Sequence, residues 1–333
     1  MISFSEELHP SPLDFTVGNS DLMTMSVSFK ESHPRKSYII DEVFKISNDL
    51  NIVIRGYEFY AGLAAEVFPD APVERVIDAA VFFNLIYQFD NTFGEDTFNS
   101  NVTAEKPTFE YLKKVWLTGT IEKPSSIQQV NNFLNGMLFF RRILIEKSNP
   151  KFFEKFTKNF LTHLDYSLRD NTYTTVEEYM ESRRWTGAMD ACLDLYEYVY
   201  DNYLPNSLLK ENEYVKRLSQ LCHLHVSYVN DVVSYPAEEH SDQNLIKAFM
   251  KVDGNSHKQA ILRAIEQVNS YDREFSELYS QKEKELEKVD PAHREKVAKH
   301  VEAIRKSIAT YYRWQMNTPR YRHPNHFLAD FRA

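Results

Sequence analysis

The feature that most constrains this chain lies just downstream of Pro72, where Ile77, Val81, Phe82, Leu85, Ile86 and Phe89 recur at three- and four-residue intervals. That spacing is helical, and apolar residues occupy nearly the whole circumference, so the segment predicts a central helix buried on all sides. Such a helix needs neighbours of its own kind. The flanking sequence supplies them. Helical periodicity begins near Ser37 (Ile39, Ile40, Val43, Phe44, Ile46) and resumes over 54–67 until Phe68-Pro69-Asp70. Further helices are predicted at 108–118, 126–147, 150–168, 175–201, 209–237, 243–252, 256–286 and 291–316. Strand signals are weak, with no sustained alternation and no GxGxxG after a strand. The expectation is an all-α, single-domain bundle of ten or more helices around a central apolar pocket.

Glycine is scarce at 8, and no Gly/Ser-rich or Pro-rich linker divides the chain. We therefore expect one helical domain over 37–333. Residues 1–36 contain His9-Pro10, Ser11-Pro12 and His33-Pro34, and read as an irregular N-terminal arm. The charge-dense 281–305 segment reads as a solvated outer hairpin turning at Asp290-Pro291.

Charge narrows the function. A net charge of −9 repels a phosphate backbone, so no nucleic-acid partner is expected. Cys192 and Cys222 have no metal-type or redox spacing, which suits buried thiols in a reducing cytoplasm. The N-terminus lacks a secretory pattern and no apolar run approaches a membrane span of about 20 residues. The expectation is a cytoplasmic protein without a membrane span.

Two acidic clusters carry the chemistry. Asp90-Asn91-Thr92-Phe93-Gly94-Glu95 closes the apolar helix, where carboxylates face the negative end of the helix dipole and a cation would offset the penalty. Asp90 and Glu95 offer hard oxygens that suit magnesium better than zinc. In the second cluster Asn230, Ser234 and Glu238 stand at i, i+4 and i+8. Each step of four drifts only about 40°, so an amide oxygen, a hydroxyl and a carboxylate share one helical face. Pro236 should bend or tighten the last turn.

Together the clusters resemble the paired motifs of class I terpene synthases of microbial type, an aspartate-rich DDxx(x)D/E sequence and an NDxxSxxxE triad. Asn91 replaces the second aspartate of the first, Asn230 to Glu238 match the second completely, and Ala237 stands where many relatives carry Lys or Arg. Arg183-Arg184-Trp185-Thr186-Gly187 lies where that family places its diphosphate-sensing arginine and helix break, and Trp314, Thr318 and Arg320-Tyr321 look like its terminal RY motif.

The resemblance implies that Asp90, Glu95, Asn230, Ser234 and Glu238 bind Mg²⁺, three ions in all. It places Arg183, Arg184, Asn230, Arg320 and Tyr321 on the diphosphate, with Arg184 and Gly187 favoured as sensor and helix break. Phe59, Phe83, Tyr87, Trp185 and Trp314 sit in or beside the motifs and are the aromatic candidates for stabilising positive charge in a dry pocket. The arm and the loop after Glu238 would close over the mouth. The implied reaction is ionisation of farnesyl or geranylgeranyl diphosphate and cyclisation of the cation to a terpene hydrocarbon or alcohol, by a monomer or homodimer. A chain-elongating prenyltransferase would be expected to carry two aspartate-rich motifs, and a non-catalytic helical interaction protein should ignore pyrophosphate and Mg²⁺. His223 and His225 point to different faces at i, i+2, which argues against zinc.

Overall fold

The computed structural model describes residues 15–93, 109–168, 172–239 and 241–332. Its α-helices in chain order are α1 (Lys36–Asp49), α2 (Tyr57–Val67), α3 (Val73–Phe93), α4 (Phe109–Thr118), α5 (Gln128–Lys147), α6 (Pro150–Leu168), α7 (Val176–Thr186), α8 (Met189–Val199), α9 (Asn206–Lys210), α10 (Glu213–Ser234), α11 (Leu245–Asp253), α12 (His257–Ser280), α13 (Lys282–Glu287) and α14 (Pro291–Asn317). Among the described residues there is no strand, only an isolated bridge between Gly18 and Leu328.

Helix α3 is the buried axis that its all-round apolarity predicts. Val76, Ala79, Ala80, Val81, Phe82, Phe83, Leu85 and Phe89 are all buried, and the helix packs on α2, α5 and α8. A second axis is α10, which packs on α12 and α14. Its buried face includes Leu218, Leu221, Val226 and Val229. Between these two axes lies the cavity described below. Phe82 meets Phe140, Phe156 and Phe160 at ring-centroid distances of 4.9–5.9 Å, close enough for favourable aromatic pairing on the side away from the cavity.

Local chemistry sets the helix ends. Thr175 and Glu178 form a capping box at the start of α7, satisfying two backbone N–H groups that lack helical partners. Asp290 caps α14 and Pro291 occupies its first turn, so the chain reverses where the sequence places the turn. The expected 175–201 helix is divided. Gly187 ends α7, and Ala188 takes φ 56° as the N-cap of α8. A left-handed alanine is costly by about 1 kcal/mol or more, so surrounding packing must hold the break. Similar subdivision separates α9 from α10 and α13 from α12.

The arm follows the outside of the bundle. The Val17 N–H donates to Phe327 O at 2.9 Å and the Ala329 N–H to Gly18 O at 2.8 Å. Thr24 Oγ1 and the Ser26 N–H donate to the buried Asp272 carboxylate at 2.8 and 2.7 Å. None of the described arm residues lines the cavity.

Candidate active site

Helices α2, α3, α7, α8, α10 and α14 enclose a cavity of about 230 Å³. Its wall is apolar along Leu63, Phe83, Ile86, Phe89, Met189 and Val226, and its rim carries Asp90, Arg183, Asn230, Glu238, Arg320 and Tyr321. Asp90 and Asn230, 140 positions apart in the chain, meet here because α3 and α10 both end at this cavity.

Asp90 occupies the last turn of α3 and lies near enough to Arg320 to reinforce its charge. Glu95, the other carboxylate expected from the first motif, lies outside the described residues. Asn230 is held from two sides. Its Oδ1 accepts from Arg183 Nη2 at 2.7 Å, and its Nδ2 donates to Tyr321 Oη at 2.9 Å. Ser234 is buried, does not reach the cavity wall, and donates its hydroxyl hydrogen to Asn230 O at 2.7 Å. Past α10 the Glu238 N–H donates to Ser234 O and Tyr235 O at 3.2 and 3.1 Å. The chain thus tightens around Pro236, and Glu238 stays on the cavity, accepting from Asn244 Nδ2 at 3.2 Å. The loop beyond it contributes Ser241 and Gln243 to the wall.

Adjacent arginines go to different places. Arg183 is turned inward, with 14% of its side chain exposed, and its Nε donates to Asp231 Oδ1 at 2.7 Å. Arg184 is turned outward, 38% exposed, beside Asp190 at 3.8 Å and over the Trp185 ring. About 100° separates neighbours on a helix. Since α7 docks on α10 through the Arg183 side, only that arginine reaches the cavity. Arg184, the neighbour favoured from the sequence, does not line it.

Both inward arginines remain cationic. Burial alone would weaken the hold of Arg183 on its proton, but the Asp231 carboxylate outweighs it and the net direction is upward. Arg320 behaves likewise among Tyr321, Tyr60, Tyr87 and Asp90. Its Nη1 donates to Tyr60 Oη at 2.9 Å, and its guanidinium lies 5.3 Å from the Tyr87 ring centre. Tyr60 and Tyr87 stack at 3.8 Å. Burial pushes the Tyr87 and Tyr321 hydroxyls up from their ordinary range, so both are neutral donors at physiological pH.

The aromatic candidates divide as well. Phe83 and Tyr87 line the cavity. Phe59 is 38% exposed on the outside of α2. Trp314 is buried behind the rim, donating its indole N–H to Phe59 O at 3.1 Å and meeting the Tyr321 ring edge-on. Trp185 packs on Tyr166 beside the mouth and does not line the cavity. Sequence reasoning missed Phe89, Tyr60 and Tyr179. It also gave no role to Asp231, which accepts from Tyr179 Oη, Arg183 Nε and the Leu245 N–H and so joins α7, α10 and α11. A fully buried aspartate inside an apolar helix was the available signal.

The C-terminal metal-binding model of terpene synthase family 2 matches residues 82–274. The chain belongs to that family. It is 23% identical over 274 residues to (+)-eremophilene synthase of Sorangium cellulosum, covering 79% of this chain and 78% of that one. A sesquiterpene synthase of Cyclocybe aegerita is 29% identical over 127 residues, 35% of this chain and 29% of the other. The crystal structure of germacradien-4-ol synthase from Streptomyces citricolor superposes with a TM-score of 0.72 at 18% identity, over 89% of this chain and 98% of that chain. The fold of this terpene synthase is therefore the all-α class I fold, and its activity is cyclisation of an isoprenoid diphosphate with a divalent metal. Among the described residues no helix is long and apolar enough to cross a membrane.

The donor set fits a hard divalent cation. Among the described residues no three His, Cys, Asp or Glu side chains gather as a metal cluster. What converges at the rim is carboxylate and amide oxygen from Asp90, Glu238 and Asn230, donors suited to a hard divalent cation. Ser234 has its hydrogen committed to Asn230 O, and Asn230 Oδ1 is polarised by Arg183, which leaves oxygen lone pairs as the groups each can still offer.

Proposed function

We propose that this terpene synthase ionises farnesyl diphosphate with magnesium at the rim formed by Asp90, Asn230 and Glu238, and cyclises the C15 cation in the cavity beneath. The observation that carries the proposal is the meeting of two oxygen-donor motifs and two inward arginines on one cavity whose wall includes Leu63, Phe83, Ile86, Phe89, Met189 and Val226. Asp90, with Glu95, would hold metal on one side, and Asn230 and Glu238 on the other, with Ser234 bracing Asn230 from within α10. Bound there, magnesium supplies a Lewis acid that offsets charge on the departing diphosphate.

The chain's own residues do the rest. Arg183 and Arg320 present planar N–H forks suited to phosphate oxygens, and Tyr321 adds a neutral donor. Because these donors are fixed by hydrogen bonds before substrate arrives, little reorganisation is required as charge develops on oxygen. Phe83, Tyr87 and Phe89 turn ring faces or edges to the cavity, where cationic carbon is stabilised and water excluded. The Gly187–Ala188 break opens backbone onto the same space. Trp314 supports the rim from behind.

Farnesyl length is favoured because a curated relative is named as a sesquiterpene synthase. The test is incubation with C10, C15 and C20 allylic diphosphates, with and without Mg²⁺, followed by mass spectrometry of the volatile products. The expected result is cyclic C15 product and pyrophosphate, abolished by chelator. Faster turnover of the C20 substrate, or indifference to chelator, overturns it.

A further inference from the structure

Two polar side chains sit in the part of the cavity wall where the proposed chemistry has no use for them. Ser227 on α10 and Gln315 on α14 both line the cavity, with 3% and 4% of their surface exposed. Ser227 Oγ and Gln315 Oε1 are buried without a hydrogen-bond partner among the described residues. The amide of Gln315 is fixed: its Nε2 donates to Val226 O at 3.0 Å. A carbonyl oxygen can only accept, so the NH₂ must face it and Oε1 must be the free atom. Since Val226 directly precedes Ser227, this bond brings the Gln315 amide to the turn of α10 that carries the Ser227 hydroxyl.

Leaving either oxygen unsatisfied in a buried site costs about 1–3 kcal/mol. A water molecule is the natural remedy, because it needs two or more polar partners and room for about one probe sphere, both of which this wall offers. Val226, Met189 and Phe83 line the same cavity.

We infer that Ser227 and Gln315 hold a water against the cyclised cation and thereby determine an alcohol product. This rests on the cyclase reading above. In the step, the carbon–oxygen bond to diphosphate has already broken. A lone pair of the water forms a new carbon–oxygen bond to the last cationic carbon. The resulting oxonium loses one proton, by way of the Ser227 hydroxyl, to the released pyrophosphate. The sum is allylic diphosphate plus water giving cyclic alcohol plus protonated pyrophosphate, with no oxidant or reductant.

The experiment is turnover of farnesyl diphosphate with Mg²⁺ in oxygen-18 water by the full-length wild-type chain and by Ser227→Ala, Gln315→Met and the double variant. Alcohol and hydrocarbon are each measured per pyrophosphate released. The expected wild-type product is an alcohol carrying oxygen-18. Loss of one hydrogen bond to the water should lower the alcohol-to-hydrocarbon ratio about tenfold in each single variant, and the double variant should give hydrocarbon almost alone. Ser227→Ala removes one atom, so it remains informative if the glutamine variants fold poorly. A wild-type enzyme that releases pyrophosphate but yields only hydrocarbon overturns the inference and leaves the cyclase reading intact. An unchanged ratio in folded Ser227→Ala and Gln315→Met overturns the assignment to these residues. No pyrophosphate release from any allylic diphosphate overturns both.

Discussion

Two charge clusters, one joining α7 to α10 and one joining α6 to α8, differ in what they face. Arg183 and Asp231 form an ion pair beside the cavity, with the arginine's remaining N–H groups turned to Asn230 and the rim. Lys155 joins Asp194 and Glu197 at 3.0 and 2.5 Å, with Asn159 donating to Asp194 Oδ2 at 2.7 Å, and none of these residues touches the cavity. Both clusters are deeply buried and hydrogen-bonded, and both hold their cation charged against the cost of burial. Buried charge by itself therefore does not mark a site. What separates them is spare donor capacity aimed at open space.

The comparison can be broken most forcefully at the rim. Asp90→Ala and Asn230→Ala should each lower kcat/KM about 10³-fold, a loss of electrostatic stabilisation in the transition state, while thermal unfolding stays within a few degrees of wild type. If both turn over normally, the rim is not the reaction centre. Arg183→Ala should injure activity and folding together, because it strands the Asp231 carboxylate at a cost of about 3–5 kcal/mol. Adding Asp231→Ala should recover much of that stability in denaturant titrations without restoring turnover. Lys155→Met should cost a similar 3–5 kcal/mol, yet turnover per folded molecule should stay within about twofold. A large fall in that specific activity would put the sealed cluster in communication with the cavity.

Acid should expose a third contrast. Burial lowers the pKa of His163, His225 and His326 to about 4 and of His223 and His300 to about 3. Below about pH 6.5 the unfolded chain takes up protons on these histidines that the folded chain refuses. Stability should therefore fall as pH drops from 6.5 toward 4, by up to about 1.4 kcal/mol per histidine per pH unit, as read from Tm across that range. The smallest effect is expected at Arg184. Arg184→Ala removes only a partly exposed contact with Asp190 and Trp185, so activity and stability should change little, within about 0.5 kcal/mol.

Much of this architecture was legible in the sequence, for reasons that particular elements make plain. Helix α3 was recognisable because apolar residues surround it, and α14 because Asp290-Pro291 fixes its start. Of Asn230, Ser234 and Glu238, expected on one helical face, the first and last line the cavity and Ser234 does not. Periodicity did not resolve which of two neighbours faces inward. Arg183 and Arg184, or Phe59 and Tyr60, differ by one residue, and only the docking of α7 on α10 and of α2 on α3 decides between them. Helix breaks were equally faint, since Gly187 is a small interruption in a continuous helical pattern. Asp231 escaped notice because its partners, Tyr179 and Arg183, lie far away in sequence.

The closeness of α7 to α10 has one more consequence. A Cβ at Gly187 would stand 2.7 Å from Ser227 Oγ, nearer than ordinary van der Waals contact permits. The two positions thus share a single allotment of volume, and the methyl missing from one is the room taken by the hydroxyl of the other. Neither can be enlarged alone, so Gly187→Ala should be tolerated better when Ser227 is simultaneously reduced to alanine.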